Sequence, residues 1–192
     1  MRKIFLDCET DGLINGSKGS EVYPNIHVIS IYDSSTDKYS SFTFDQIKEL
    51  WAILERADLI IGFNTNGFDL PVLNHYYSGD LTKLPSLDIL DEVKNTLGRR
   101  IKLDTIAEAT LGRKKIGHGL EAMTWWKQGL FDKVKAYCEE DVRITKDVYD
   151  YALKNGYLKY KDRDTGLIKE IKLDTSKWKK KEDSAITHTL FG

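Results

Sequence analysis

The chain has 192 residues, 41% hydrophobic and 11% aromatic, with a formal net charge of −1 at pH 7. That length supports one domain with a buried core and room for an appendage, and the composition excludes a mostly disordered polypeptide. No apolar run reaches the length of a membrane-spanning helix, and MRKIFLDCET leads straight into charge instead of a signal peptide, so no membrane partner and a cytoplasmic location are expected. The two cysteines, Cys8 and Cys138, lack metal-type spacing and read as small core fillers in a reducing compartment. The near-zero net charge conceals an uneven distribution. Lys94, Arg99, Arg100, Lys102, Arg113, Lys114 and Lys115 bunch in the middle, and Lys177, Lys179, Lys180 and Lys181 near the end.

Residues 3–8 and 27–33 are rich in Ile, Val, Phe and Tyr and are predicted strands; residues 38–44 alternate apolar and polar as a half-exposed strand does. The period then changes to helical at Ile47, Leu50, Trp51 and Leu54, with Thr43 and Gln46 forming a capping box in front. LIIGF, residues 59–63, is a short continuous apolar run and predicts a strand buried on both faces. Helices are predicted over 69–77, over 86–97 to a stop at Gly98, over 103–111 to a stop at Gly112, and near 119–127 before Gly129. The longest helix is expected from Asp132 to Lys154, closed by Gly156. YLKYKDRDTGLIKEIKL then reads as a β-hairpin turning at Asp162–Gly166, and residues 176–192 as a basic, flexible tail. The order βββαβα followed by more helix is that of an α/β fold, a mixed sheet with helices packed on it.

Acidic residues fall at informative places on these elements. Asp7 and Glu9 are two apart on a strand, so both leave the same face, with Cys8 directed to the other. Asp69 follows the buried strand at the first turn of a helix, where Pro71 is tolerated. Tyr137 and Asp141 are four apart on a helix and lie on one face. Hard divalent cations take oxygen ligands, and phosphodiester hydrolysis by two metals needs carboxylates from several elements to converge. Each piece is weak alone. Asp162 and Asp164 also make a D-x-D pair, but in a turn; Tyr76/Asp80 straddles a Ser-Gly turn, and Tyr160/Asp164 begins in a strand, where four residues span ~13 Å. Asp88 and Asp104 stand at helix starts and read as caps. GRKKIGHG lacks the K-[ST] of a phosphate loop.

Taken together, D-C-E at 7–9, N-T-N-G-F-D at 64–69 and Y-C-E-E-D at 137–141 resemble the three motifs of the DnaQ-like 3′–5′ exonucleases of RNase H-like fold. The match is to the DEDDy subclass, which includes polymerase proofreading domains and ribonuclease D. The second motif has the spacing used by family B polymerase proofreading domains, and residues 103–142 also resemble stand-alone members from microbes and their viruses, for which the compartment would be the microbial or host-cell cytoplasm. The resemblance covers roughly residues 1–155. It implies an RNase H-like exonuclease domain over 1–156, with the hairpin at 157–175 appended.

The resemblance further implies catalysis by Asp7, Glu9, Asp69, Tyr137 and Asp141, with two Mg²⁺ or Mn²⁺ ions as cofactors. Asp7 would bridge both metals, Glu9 and Asp141 would complete the first site, and Asp69 would hold the second. Tyr137 would orient the attacking water, since a phenol with an unperturbed pKa of ~10 is a poor base at neutral pH. Thr10, Asn64, Phe68, Arg113, Lys114 and His118 are the expected substrate-binding residues. Leu13 and Phe63 are weaker candidates for stacking on bases, and Trp125 and Trp126 are expected to be core on at least one side. The expected activity is removal of nucleoside 5′-monophosphates from single-stranded DNA 3′ ends, in replication proofreading or repair. A DNA polymerase or sliding clamp is the candidate partner for the Leu190-Phe191 ending. An exoribonuclease and a non-catalytic nucleic-acid- or polymerase-binding subunit on the same fold are the alternative readings.

Overall fold

The computed structural model describes residues 1–113, 119–176 and 178. Its centre is a five-stranded sheet formed by β1 (Lys3–Thr10), β2 (Ile26–Asp33), β3 (Lys38–Thr43), β4 (Leu59–Gly62) and β5 (Ser86–Asp88), in the order β3-β2-β1-β4-β5. The first three strands meander antiparallel, whereas β4 and β5 add in parallel on the other side of β1. Among the described residues, six α-helices surround it: α1 (Ile47–Leu54), α2 (Asp69–Tyr76), α3 (Ile89–Leu97), α4 (Leu103–Leu111), α5 (Gly119–Lys127) and α6 (Phe131–Asn155). A hairpin of β6 (Tyr157–Lys161) and β7 (Ile168–Lys172) follows.

Alternation along β1 divides the core. Ile4, Leu6 and Cys8 enter the layer shared with α1 and α2, while Phe5 enters the layer shared with α3, α4, α6 and the hairpin. Both faces are therefore covered, which explains why β4 is apolar at every position and buried throughout. Gly98, Gly112 and Gly156 end their helices in left-handed conformation, where a side chain would be strained. Gln46 accepts the Thr43 N–H at 3.2 Å, closing the box in front of α1.

One predicted element is corrected. The segment beginning at Ser86 opens as a three-residue parallel strand, and its helix starts only at Ile89. Three residues are too few to display a two-residue period, and the three-residue spacing of Leu87 and Leu90 reads as helix.

The hairpin is continuous with the body. Leu158, Tyr160, Ile171 and Leu173 are buried in the same cluster as Phe5, Val142 and Tyr149. Of the segment expected as a tail, Ser176 and Trp178 are described, and Trp178 is not loose: it is fully buried, its ring stacked on Tyr149 at 5.4 Å and 6°. Residues 179–192 lie outside the described residues. In the hairpin turn, Asp162 accepts from the Thr165 hydroxyl at 2.8 Å and pairs with Lys169 and Arg99, each at 3.1 Å. These contacts, led by the Thr165 hydroxyl, hold its carboxyl down at about 2.

Trp178→Ala should destabilise the whole protein by about 3–5 kcal/mol in urea unfolding, the usual result of emptying a large aromatic site; a midpoint equal to wild type would place this residue outside the core. Because the folded-state pKa of Asp162 is depressed, its contribution is present above pH ~4 and is lost as pH falls towards 2. Thermal unfolding across that window should therefore fall more steeply for wild type than for Asp162→Asn.

Candidate functional site

The candidate residues on β1 and after β4 lie at or just beyond the carboxyl-terminal ends of these parallel strands. On β1, Asp7 and Glu9 stay partly accessible on the face that α6 crosses, while Cys8 between them is buried on the other. A bulge between Glu9 and Thr10 interrupts the pairing with β2 just beyond them. From α6, Asp141 turns towards the same place, and one carboxylate oxygen from each of Asp7, Glu9 and Asp141 lies within 4.8 Å of the others. Three carboxylates this close repel one another unless a cation joins them. The donor set consists entirely of hard oxygen, which suits Mg²⁺ or Mn²⁺ and disfavours softer ions. The residues present thus fit a divalent metal.

Asp69 stands apart from that trio. It is 3% exposed at the start of α2, and its Oδ1 accepts the backbone N–H of Cys8 at 2.9 Å. Burial pushes its carboxyl up to about 6 against the opposing effect of the Cys8 bond. The link fixes α2 to the residue between the two β1 carboxylates. Tyr137, one turn before Asp141, is buried with its ring edge-on to Trp125 at 6.0 Å. Trp126 stacks on His27 at 4.4 Å, so both tryptophans pack against the body as expected.

Cys138 has more to do than fill space. Its Sγ lies 3.4 Å from the Asp7 carbonyl and 3.6 Å from Asp7 Oδ2, where the thiol donates to both. Burial, reinforced by the charge of Asp7, pushes this thiol well up, so it remains a donor at neutral pH. Its place three residues before Asp141 on one helix face was a usable sequence signal.

Asp88 also exceeds its expected part. It caps α3 by accepting from Leu90 N–H at 2.9 Å, and it accepts from Asn64 N–H at 2.8 Å and Asn66 N–H at 2.9 Å. One buried carboxylate therefore orders the whole loop after β4. That loop needs the help, since Asn64 has a φ of 69°, a left-handed conformation that asparagine tolerates better than most residues. Asp104 lies inside the first turn of α4; the cap position belongs to Lys102.

The remaining expected residues divide. Thr10 ends β1, buried, its hydroxyl donating to Gly12 O at 2.7 Å. Asn64 Oδ1 accepts from Arg100 at 2.6 Å, an interaction the sequence did not suggest. Phe68 is half-buried and packs into the α1–α2 core layer, so packing accounts for it. Leu13 is 71% exposed. Arg113 pairs with Asp147 on α6 at 2.7 Å and reaches Glu140, the neighbour of Asp141, at 4.0 Å. Lys114 and His118 lie outside the described residues.

A family model described as the RNase_H superfamily matches residues 4–153. The chain belongs to the RNase H superfamily. The five-stranded mixed sheet with its flanking helices is an RNase H-like α/β fold, and the C-terminal hairpin lies beyond the matched span. Among solved structures, the fold is similar to a family B DNA polymerase from the hyperthermophilic archaeon Pyrobaculum calidifontis. The TM-score is 0.59 at 18% identity, over 79% of this chain and 24% of the polymerase. The matched part is thus about a quarter of that enzyme, and the likeness is one of fold. No curated protein matches the sequence. No described helix is long and apolar enough to cross a membrane.

The carboxylate trio makes a two-sided prediction. Without divalent ions, Asp141→Asn should raise Tm by about 2–4 °C, corresponding to relief of roughly 1 kcal/mol of repulsion. With Mn²⁺, wild type should gain stability by linkage while the variant gains little. If both proteins respond equally to Mn²⁺ in scanning calorimetry, Asp141 is not a ligand.

Proposed function

We propose that the protein is a metal-dependent 3′–5′ exonuclease of the DEDDy type, acting on single-stranded DNA ends. The observation that carries this reading is the meeting of Asp7, Glu9 and Asp141 oxygens within 4.8 Å across a strand and a helix. Membership of the RNase H superfamily supports it, as does the position of Tyr137 one turn from Asp141. Asp7, Glu9 and Asp141 would hold one cation, and Asp69 with Asp7 a second. Two such ions supply an activated water and neutralise charge on the leaving oxygen.

The chain's own residues do the rest. Tyr137 directs its hydroxyl to orient the nucleophilic water, anchored from behind by Trp125. Asn64, set by Asp88 and Arg100, touches the terminal nucleotide, and Thr10 borders the same end of β1. Water oxygen forms a bond to the last phosphorus and the bond to the preceding 3′ oxygen breaks. The products are a nucleoside 5′-monophosphate and a strand one nucleotide shorter with a free 3′ hydroxyl. DNA is favoured by the second-motif spacing and by the polymerase-like fold, and replication proofreading or repair is the matching role. A polymerase or sliding clamp is the corresponding partner.

The test uses 3′- and 5′-labelled DNA and RNA with Mg²⁺, Mn²⁺ or chelator. Wild type should shorten single-stranded DNA from the 3′ end only with metal, and Asp7→Ala should abolish the reaction. Tyr137→Phe should keep metal binding by calorimetry and lose about 10²-fold in rate, the scale of a misplaced reactant. Absence of metal-dependent shortening sinks the enzymatic reading, and faster loss of RNA moves the protein to RNA processing.

A further inference from the structure

The hairpin helps to build a cleft of about 510 Å³ against the α3–α4 connection, and its lining is strongly cationic. Arg99, Arg100, Lys102, Lys161 and Arg163 face it; Asp104 is the carboxylate in the lining, and Asp162 beside it pairs with Arg99. Lys102, Lys161 and Arg163 are exposed and have no ion-pair partner among the described residues. Arg99 is shared with Asp162 and Arg100 with Asn64, yet each guanidinium has further N–H groups to offer. The first turn of α4 also lines the cleft, with no side-chain cap on its N-terminus, so unsatisfied backbone N–H groups add to the positive field.

Like charges gathered in one concavity concentrate a positive field there, which attracts an anion. Two further observations identify the anion. Asn64 lines the same cleft, so its loop joins the cleft to the Asp69 end of the carboxylate site. Half-buried Phe63 supplies aromatic surface beside the cations, and the buried Tyr160 ring seats Arg99 above it at 5.4 Å. Cations interleaved with aromatic rings are the chemistry that tracks a single strand.

We propose that this cleft binds the phosphates of a single-stranded nucleic acid, as a strand-holding site separate from the carboxylate centre. Only the class of ligand rests on the function proposed above. The hairpin thereby acquires a use, since its Lys161 and Arg163 form one wall of the cleft.

The test is made without metal, so that binding does not depend on hydrolysis. In an Asp7→Ala background with chelator, a fluorescein-labelled oligodeoxythymidylate of about a dozen nucleotides is titrated over a range of salt. The triple reversal Lys102→Glu, Lys161→Glu and Arg163→Glu is compared with an equal reversal of the exposed Lys18, Lys38 and Lys48. The cleft variant should bind at least about tenfold more weakly, with a salt slope smaller by about two, since each lost contact to a single strand removes ~0.7. The control should remain within about twofold of the parent. Equal weakening by both reversals, or unchanged affinity and slope in the cleft variant, overturns the proposal. If the glutamate triple fails to fold by circular dichroism, the corresponding glutamine triple gives the same comparison. Binding lost by cleft reversal in a protein with no nuclease activity leaves the cleft standing and the catalytic reading fallen. Intact hydrolysis with unaltered binding leaves the catalytic reading standing and the cleft fallen.

Discussion

The convergence of Asp7, Glu9 and Asp141 from a strand and a helix is the constraint around which the site is arranged. Oxygens within 4.8 Å of one another would separate if their supports could move. They are therefore carried on the stiffest available elements. β1 is paired on both sides, and α6 is a 25-residue helix with buried residues along its length. Apolar packing between these two, through Phe5, Val142 and Tyr149, fixes the strand against the helix beside the carboxylates. The Cys138 thiol and the Asp69–Cys8 bond add directional control at the same point. Rigidity there is a requirement of the electrostatics.

The loop after β4 is organised on the opposite principle. Phe63 and Phe68 anchor its ends in the two core layers, and between them one buried carboxylate, Asp88, collects the N–H groups of Asn64 and Asn66 together with that of Leu90. Fixing three donors with one acceptor group leaves the Asn64 side chain available to neighbours, and Arg100 takes it. A cationic cleft and an acidic centre thus border a single ordered loop. Local charge is separated sharply even though the whole chain is nearly neutral.

Much of this is legible in the amino-acid sequence. The two-residue period of β1 shows which side chains share a face, and the helical spacing of Tyr137 and Asp141 places them together. Glycine stops mark the ends of α3, α4 and α6. What escapes depends on partners distant in sequence. β5 is too short to show a period and is a strand only because β4 lies beside it. The pairing of Arg113 with Asp147 joins the end of α4 to α6, which no local spacing signals. Trp178 sits in a stretch without periodicity, and its burial comes from the face of Tyr149. The cleft joins residues 63–64, 99–105 and 160–163, segments that no local pattern connects.

The pairing of β1 with β2 has a consequence for folding fidelity. Asp7 lies opposite Ser30 and Glu9 opposite Val28, with Cys8 in the apolar layer between. A slip of one residue would rotate the strand by half its period, bringing both carboxylates into the layer filled by Ile4, Leu6 and Leu70. Burying two unpaired charges there would outweigh every ladder hydrogen bond the slipped strand could make. The acidic residues of the candidate site therefore also act as a register key. A chain that assembles its central strand wrongly is ejected by its own charges before the core can close over it.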